Sequence, residues 1–492
     1  MLYNSLITSH IFESSSIVLT DMTEHYTYSQ IDKICQNIGY RLKNYGVKSH
    51  DRVVIQADRT LDTVLLILSC IRMGVCFIPV SPAVSTEALM EIISNSSPVL
   101  VIGSFSQSHA TQCPPSKLLL NISDEISIPE PELEDDSVVY ILYTSGSTGI
   151  PKGVVAPTKN VEFCIGTINE RLKNTANDKI LCCLPLSFDY GLYQIFLALS
   201  AGSCLVIAPE APLPQIVTYL AKEKITGFPT MPAMLNMLVK THLLNKVNLN
   251  TLRYITSTGD TFPISLIQQI QKAIPSAIVV PMYGLTECKR VSVMPLDRPD
   301  KTFAGSCGLP LNNTKVWLDN PDSEGIGELI VCGQNVMAGY WNDSQTTAMY
   351  YFVNHEGKRC LHTGDYFRID DEGFLYFVSR KKEIMKVNGY RVGVAELENR
   401  LMSEGNDLIL EIGIFGYPDE IMGERIAVCI STNYTSQEII QLFDKVSEKL
   451  SSYQRPHLLY CTAQPLPKNI NGKIDRRKLM EMRHLHEFIK LR

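Results

Sequence analysis

Short, unbroken apolar runs are the feature that most limits how this chain can fold. They alternate along the chain with segments of helical periodicity, and the clearest of them are Arg52–Ala57, Val138–Tyr143, Ile180–Leu184, Cys204–Ala208, Leu252–Thr256 and Ala277–Met282. Strands that are covered by helices on both faces have this continuous Val/Ile/Leu composition. The alternation therefore predicts an α/β fold in which mostly parallel sheets are flanked by helices.

Loops of small and polar residues directly follow three of the predicted strands. These loops are Thr144–Gly149, Ser257–Asp260 and Tyr283–Glu287. In open α/β sheets, ligands bind beyond the carboxyl ends of the strands. We therefore expect the three loops to converge on one site.

The composition limits the class of protein. The chain has 492 residues, 45% of them hydrophobic, and a net charge of −6. A chain of this length buries a large core without needing disulfides or metals. Its 14 cysteines contain no CxxC pair, which fits a reducing cytoplasmic location. The charge balance and the lack of a signal peptide or long apolar stretch predict neither a nucleic-acid partner nor a membrane partner.

A change of composition near Lys382 predicts a second domain. The segment after Tyr366 becomes rich in charged residues, and the remaining stretch of about 110 residues lies within the usual range for a domain. An amphipathic pattern predicts a helix over Ser436–Leu450 in this stretch. Thr435 and Glu438 would form a capping box at the start of that helix. We predict a large domain at residues 1–381 and a small α+β domain at residues 382–492.

The strongest chemical signal lies at residues 143–153, which read Tyr-Thr-Ser-Gly-Ser-Thr-Gly-Ile-Pro-Lys-Gly. Exposed backbone N–H groups and glycines let a phosphate approach such a loop closely, and Lys152 adds positive charge. The proline before this lysine distinguishes the loop from a Walker A motif. The apolar strand that precedes the loop favours a phosphate site over a flexible linker.

This loop resembles the phosphate loop of the adenylate-forming superfamily, which includes acyl-CoA synthetases, luciferases and the adenylation domains of nonribosomal peptide synthetases. Further motifs of that family follow in family order: Phe188-Asp189-Tyr190, Tyr283-Gly284-Leu285-Thr286-Glu287, Gly339-Tyr340-Trp341, His362-Thr363-Gly364-Asp365, Arg380-Lys381-Lys382, Asn388-Gly389-Tyr390-Arg391 and Pro467-Lys468-Asn469-Ile470-Asn471-Gly472-Lys473. The resemblance implies an enzyme that uses ATP and Mg²⁺ to convert a carboxylic acid to an acyl-AMP and then passes the acyl group to a thiol. It also implies that the small C-terminal domain is mobile.

The resemblance assigns roles to individual residues, several of which make chemical sense on their own. Glu287 is a hard oxygen ligand suited to Mg²⁺, Tyr283 offers an aromatic face to adenine, and Asp365 can accept hydrogen bonds from a ribose diol. Lys473 would stabilise the charge that develops as pyrophosphate leaves, and it is the implied catalytic residue together with Thr144 and Glu287. The residues implied to bind the nucleotide are Thr144, Ser145, Gly146, Ser147, Thr148, Gly149, Lys152, Tyr283, Gly284, Thr286, Asp365, Arg380 and Lys473. Lys382 is the implied hinge, and Gly389 is implied to line the thiol tunnel.

Asp189 bears on the acid that is activated. In amino-acid-activating members of the family, an Asp in this motif pairs with the α-ammonium group of the substrate, and an anion at that place suits an amino acid better than a fatty acid. The residues predicted to form the acid pocket by alignment are Asp189, Tyr190, Tyr193, Thr256, Thr258, Met282, Arg290 and Val291. The segments Ser187–Tyr193 and Leu285–Arg290 resemble stand-alone proline-adenylating enzymes that load a separate carrier protein, so L-proline is the predicted substrate.

The thiol acceptor has two candidates. Only 19 residues follow Lys473, too few for a fused carrier domain, so we expect the acceptor on another molecule. One candidate is the phosphopantetheine arm of an acidic carrier protein, which the basic residues Arg476, Arg477 and Lys478 could meet. The alternative is an acyl-CoA ligase that transfers a small carboxylic acid to coenzyme A. A nucleotide-binding regulator without activity is disfavoured, because the charged residues of the motifs are all present.

Overall fold

The computed structural model describes residues 2–11, 15–105, 112–119, 126, 128–145, 151–259, 262–387, 390–405, 408–419, 423–468 and 474–491, except for the side chains of Gln112, Ser116, Ser145, Lys382 and Arg391. Some predicted functional residues therefore lie outside the described residues. These are Gly146, Ser147, Thr148, Gly149, Asp260, Gly389 and Lys473.

The helices and strands alternate over most of the chain. The helices are α1 (Leu2–Leu6), α2 (Tyr28–Asn44), α3 (Leu61–Arg72), α4 (Thr86–Ser96), α5 (Pro115–Leu119), α6 (Thr158–Leu172), α7 (Asp189–Ser200), α8 (Leu213–Lys222), α9 (Pro232–Lys240), α10 (Ile264–Ala273), α11 (Pro299–Phe303), α12 (Ser344–Tyr350), α13 (Val394–Gly405), α14 (Ser436–Ser447) and α15 (Arg476–Leu485). The strands are β1 (Leu19–Thr20), β2 (His25–Tyr26), β3 (Arg52–Gln56), β4 (Cys76–Val80), β5 (Leu100–Ile102), β6 (Gln112–Cys113), β7 (Val138–Ser145), β8 (Pro151–Pro157), β9 (Lys179–Cys182), β10 (Cys204–Ile207), β11 (Gly227–Thr230), β12 (Tyr254–Ser257), β13 (Ile278–Tyr283), β14 (Ser292–Val293), β15 (Leu309–Pro310), β16 (Lys315–Asp319), β17 (Gly327–Cys332), β18 (Tyr351–Val353), β19 (Arg359–Ile369), β20 (Leu375–Arg380), β21 (Ile384–Val387), β22 (Tyr390–Gly393), β23 (Glu411–Asp419), β24 (Gly423–Ser431), β25 (Leu458–Thr462) and β26 (Ile489–Lys490).

The largest sheet has the strand order β15-β14-β13-β12-β11-β9-β10-β1-β2. Its central strands are parallel, from β13 across to β10. Alternate residues of β9 point to opposite faces, so that Ile180 and Cys182 join one apolar cluster while Leu181 joins another. Apolar residues on both faces are what a strand covered by helices requires. The α/β prediction is confirmed for this sheet.

A second sheet, β6-β5-β3-β4-β7-β8, carries the predicted phosphate loop. It is parallel except for its edge pair, because β7 and β8 form an antiparallel hairpin. Residues 146–150, between these two paired strands in the sequence, lie outside the described residues. Thr144 lies opposite Lys152 in this pair, which holds both residues at the base of the loop.

A third sheet is antiparallel, which the prediction of mostly parallel sheets did not include. Its order is β16-β17-β19-β18, with β20 also paired to β19. These strands follow one another with little helix between them, and antiparallel strands need only short connections. Asp365 of β19 and Arg380 of β20 lie directly opposite each other.

The last sheet, β22-β21-β24-β25-β26 with β23 on β24, lies within residues 384–490. Helices α13 and α14 bury Leu397, Leu401, Ile439 and Phe443 against it. The capping box of Thr435 and Glu438 is present at the start of α14, as the sequence predicted. The domain boundary at Lys382 stays a prediction.

The cysteines are buried or half-buried free thiols, and most of them pack in the apolar clusters. In the part of the chain that the structure describes, no helix has both the length and the apolar character needed to cross a bilayer.

Candidate active site

The phosphate hairpin and Glu287 are brought together by a tyrosine. At the base of the hairpin, Thr144 Oγ1 donates to the carbonyl oxygen of Lys152 over 3.4 Å. Lys152 Nζ lies 5.7 Å from the ring centre of Tyr340, and Tyr340 Oη donates to Glu287 Oε1 over 2.7 Å. Tyr340 belongs to the Gly-Tyr-Trp motif but was not predicted as a site residue. Its contacts with Lys152 and with Glu287 identify it as a site residue, and the sequence alone does not show these contacts.

Glu287 has the properties of a Mg²⁺ ligand. Its side chain is half-buried, and no lysine or arginine among the described residues forms an ion pair with it. A carboxylate without a competing cation, beside the lysine of a phosphate loop, suits a hard cation that bridges phosphate oxygens. The donor set therefore fits Mg²⁺, which would neutralise phosphate charge there when bound.

The predicted ribose site is formed by a buried carboxylate. Tyr283 Oη donates to Asp365 Oδ2 over 2.8 Å, and Arg380 Nε lies 3.6 Å from Asp365 Oδ1. Burial is the main reason that the pKa of Asp365 is raised, to about 6, and the nearby Arg380 opposes the shift. The ring of Tyr283 packs edge-on against Phe367, with the ring centres 4.6 Å apart. The structure thus brings Tyr283, Asp365 and Arg380 together, as the motifs predicted.

The segment Gly284–Arg290 is a compact loop that serves two sites. The backbone N–H of Val291 donates to the carbonyl of Tyr283 over 2.9 Å, which closes the loop. A Cβ atom at Gly284 would lie 2.0 Å from the carbonyl oxygen of Lys289, so only glycine fits there. Glu287 contacts the hairpin side through Tyr340, whereas Lys289 and Arg290 point into the protein and are almost fully buried.

A buried cavity lies behind this loop, at the carboxyl ends of β12 and β13. Polar side chains from α7, β12 and the loop share its walls with apolar side chains from α6, α7 and β13. The lining residues are Ile168, Leu172, Tyr190, Tyr193, Gln194, Leu197, Thr256, Met282, Lys289 and Arg290. Tyr190, Tyr193, Thr256, Met282 and Arg290 were predicted to be there.

Three predicted pocket residues, Asp189, Thr258 and Val291, do not line the cavity. Val291 packs into a separate apolar cluster with Tyr283, Cys288 and Leu329, and it does not line the cavity. Val291 comes directly after the loop and directly before strand β14, which pairs with β13. Its side chain therefore packs in that cluster and not in the cavity. Thr258 is not a lining residue either. It lies behind Arg290 and accepts a hydrogen bond from Arg290 Nη1 over 2.8 Å.

Asp189 already has a cationic partner within the chain. Lys289 Nζ lies 3.0 Å from Asp189 Oδ2 and donates to the Asp189 carbonyl over 2.7 Å. It also lies 3.9 Å from the ring centre of Tyr193. Burial lowers the pKa of Lys289 to about 8, and Asp189 opposes this shift. The sequence predicted that Asp189 meets the ammonium group of a substrate, but the ammonium group beside it in the structure belongs to Lys289, which the sequence interpretation missed.

A hydrogen-bonded and ion-paired framework also surrounds the predicted hinge. Lys381 Nζ lies 2.9 Å from Glu328 Oε2 of β17. On the other side of Lys382, Glu383 Oε1 lies 3.2 Å from Arg476 Nη1, and the same guanidinium lies 2.7 Å from Glu398 of α13. Residue 382 therefore stands between one anchor on the N-terminal side and another on the C-terminal side.

The comparison with family models identifies the group to which these sites belong. The model described as AMP-binding enzyme matches residues 12–341. This chain belongs to the AMP-binding enzyme family. It is an adenylate-forming ligase that uses ATP, and Mg²⁺ is the usual partner ion of such enzymes.

Curated relatives and solved structures include more than one kind of adenylate-forming protein. This AMP-binding enzyme is 28% identical to bacitracin synthase 1 of Bacillus licheniformis over 94% of the chain, and it spans 9% of the length of that protein. It is 25% identical to 4-coumarate–CoA ligase 3 of Arabidopsis thaliana, covering 96% of this chain and 89% of the ligase. The solved complex of VinN with L-aspartate is 30% identical, with a TM-score of 0.69, and the match covers 77% of this chain and 98% of VinN.

Proposed function

We propose that this AMP-binding enzyme activates a small amino acid as its aminoacyl-AMP and transfers it to the phosphopantetheine thiol of a separate carrier protein. The observation that carries this proposal is the buried cavity behind the Gly284–Arg290 loop. Its lining combines charged and hydroxyl groups with a few apolar side chains. The space between them holds about one water molecule, so the cavity has to widen even for a small polar acid, and a long acyl chain is disfavoured. The likeness to VinN, solved with an amino acid, supports the same substrate class, and the sequence resemblance favours L-proline within it.

The proposed first half-reaction joins the acid to the nucleotide. A carboxylate oxygen of the amino acid attacks the α-phosphorus of ATP, and the bond to the bridging oxygen of pyrophosphate breaks. Thr144 and Lys152 would hold phosphate oxygens, Glu287 would hold Mg²⁺, and Asp365 with Arg380 would orient the ribose. Lys473 lies outside the described residues, so its role at the α-phosphate is carried by the motif alone.

In the second half-reaction a thiolate attacks the acyl carbon, and AMP leaves with the bonding electrons of its phosphate–acyl bond. The same face of the acyl carbon must become open to the thiol, so we propose that residues 382–492 rotate about Lys382 and bring Gly389 towards the thiol path. The two anchors that flank Lys382 support this pivot.

The acceptor is proposed from the surface of α15. Arg477 and Lys478 expose most of their side chains, so they are available to an acidic carrier protein. Arg476 forms ion pairs with Glu383 and Glu398, so it is not available to a partner as part of the predicted basic cluster. Coenzyme A remains the second candidate, because a CoA ligase is among the relatives that match this chain almost end to end.

Two assays on one preparation of the full chain test the proposal. ATP–pyrophosphate exchange is measured with each amino acid and with small acids that lack an amino group. Transfer of the acid that supports exchange is then measured to a phosphopantetheinylated carrier protein and to coenzyme A, in the presence of ATP. Exchange with an amino acid, followed by transfer to the carrier, supports the proposal. Exchange only with acids that lack an amino group, followed by transfer to coenzyme A, would replace it with the acyl-CoA ligase function.

The proposed pivot has its own test. Proline at position 382 would fix φ near −65°, so Lys382→Pro should keep most of the exchange activity and lose most of the transfer. Equal losses in both half-reactions would show that Lys382 is not the pivot.

A further inference from the structure

The cavity behind the Gly284–Arg290 loop contains more positive than negative charge. Two cations, Lys289 and Arg290, line it, and both are almost fully buried. Asp189 is not among the lining residues, and its carboxylate and its backbone carbonyl both accept hydrogen bonds from Lys289. Within the part of the chain that the structure describes, one of these two buried positive charges has no carboxylate partner.

Arg290 carries that unmatched charge. Its side chain is 3% exposed, and Nη1 donates to Thr258 Oγ1, a neutral acceptor. Within the described residues, no carboxylate forms an ion pair with Arg290, and its buried Nε has no hydrogen-bond partner. A buried guanidinium is normally paired with an anion, because removing it from water is costly otherwise. The open side of Arg290 faces the cavity.

We infer that the acid activated by this enzyme carries a second anionic group, a carboxylate, and that Arg290 binds this group in the cavity. The inference rests on the proposed function, because it takes the cavity to be the acid-binding pocket. Arginine presents paired N–H donors in a plane that matches a carboxylate. Arg290 is thereby assigned to choosing the substrate and not to the chemical step.

The position of Arg290 separates this second anion from the reacting carboxylate. Glu287 and Arg290 belong to one loop, but Glu287 contacts Tyr340 beside the phosphate hairpin, whereas Arg290 contacts Thr258 and lies over Tyr190, with the guanidinium carbon 5.3 Å from that ring centre. The hydroxyl of Tyr190 is in turn 2.6 Å from Thr256 Oγ1. The anion that Arg290 binds is therefore on the acid-pocket side of the loop, away from the group predicted to hold the metal.

This assignment changes the expected substrate. Proline has no second anionic group, so it would leave Arg290 unpaired inside the loaded pocket. A short dicarboxylic acid or an acidic amino acid supplies the missing charge. The two kinds of substrate should differ strongly in binding free energy, because leaving a buried charged group without its partner costs more than losing a neutral hydrogen bond.

The test compares matched substrates on the wild-type enzyme. ATP–pyrophosphate exchange is measured with L-aspartate against L-asparagine, and with succinate against succinamate, so that only the charge of the distal group changes. We expect the dianionic member of at least one pair to have a kcat/KM higher by roughly ten- to hundred-fold, as for a hydrogen bond to a charged group. Proline or a neutral amide as the best substrate would overturn the inference and leave the proposed function intact.

Variants then show whether Arg290 is responsible. Arg290→Gln should lower kcat/KM for the charged member of a pair, mainly through KM, by roughly ten-fold or more beyond any loss on the amide, so that the preference disappears. Arg290→Lys should restore part of the preference. Arg171→Gln is the matched control, since Arg171 is also partly buried but donates to the carbonyl of Pro310 outside the cavity, and it should keep the preference. Equal loss on both members of a pair in a folded Arg290→Gln protein would mean that Arg290 holds the reacting carboxylate, and would overturn the inference.

The outcome for the amino group is separate. A preference for succinate over L-aspartate would overturn the amino-acid part of the proposed function, yet it would support the second anionic group, because both acids carry one.

Discussion

The nucleotide side and the acid side of the Gly284–Arg290 loop differ in how their charges are balanced. On the nucleotide side, Glu287 is half-buried and has a neutral hydroxyl as its partner, Tyr340. On the acid side, Asp189 and Lys289 form a buried ion pair, and Arg290 is left with a neutral partner. The first arrangement keeps a carboxylate ready for a cation, and the second keeps a cation ready for an anion. If the proposed roles hold, the loop separates two ligands of opposite charge with only two residues between Glu287 and Arg290.

The largest expected effect is on the acid side, where Lys289→Met would leave the buried Asp189 without its cation. We expect the free energy of unfolding to fall by about 3–5 kcal/mol, as when one member of a buried ion pair is removed. Urea denaturation of the full chain measures this. The double variant Asp189→Asn with Lys289→Met should recover most of the loss. An unchanged stability in Lys289→Met would mean that Asp189 is free to meet a substrate ammonium group, as the sequence predicted.

On the nucleotide side, Glu287→Gln keeps the shape of the side chain and removes its charge. We expect exchange to fall by about 10²–10³ with every acid, because electrostatic stabilisation in the chemical step is lost whatever the acid is. The comparison with Arg290→Gln, whose loss depends on the acid, sharpens the distinction between the two sides. A loss confined to one acid would place Glu287 in the acid pocket.

The pH dependence of ATP use tests the ribose site. Asp365 has a pKa of about 6, raised by burial, so its carboxylate is charged above that pH and becomes neutral below it. Because the charged form is the better acceptor for ribose hydroxyls, we expect the KM for ATP to rise about tenfold per pH unit below pH 6. Asp365→Asn should have a high KM at all pH values, without this dependence. Since the folded pKa lies above that of the unfolded chain, the same group contributes less to stability as pH rises through 6.

The smallest expected effect is that of Tyr340→Phe. This change removes the hydroxyl that donates to Glu287 and keeps the ring beside Lys152. We expect kcat to fall by roughly two- to ten-fold, the range for one hydrogen bond. Tyr351→Phe is a control from the same aromatic cluster, where the rings of Tyr340 and Tyr351 lie 5.8 Å apart. Equal effects in the two variants would mean that losing any hydroxyl from this aromatic cluster lowers the rate, and that the bond to Glu287 has no special role.

The sequence predicted the neighbours of residues on the nucleotide side of the loop better than those on the acid side, and the difference has a physical reason. The apolar runs that predicted strands, such as Cys204–Ala208, are local, and the structure has a strand at each of them. The motifs also predicted that Asp365 and Arg380 lie together, and the structure pairs them; their role in binding the nucleotide stays a prediction. Lys289 and the surroundings of Val291 were missed, since the pairing of a buried lysine with a residue 100 positions away is decided by packing in three dimensions.

The anchors on either side of Lys382 have a mechanical consequence. If the two parts of the chain turn relative to each other, the pair Lys381–Glu328 travels with one part and the pair of Glu383 with Arg476 travels with the other. Neither ion pair then has to break, whereas the hydrogen bond from Ser379 Oγ to the carbonyl of Glu383, which spans Lys382, would have to be exchanged. The other contacts that must be exchanged are those across the faces, such as Tyr453 with Glu324 and Lys240 with the carbonyl of Leu410. If the proposed rotation occurs, its balance would also depend on the packing of α13 against β20 and α10, and a docking protein that covers one of these contacts would shift it.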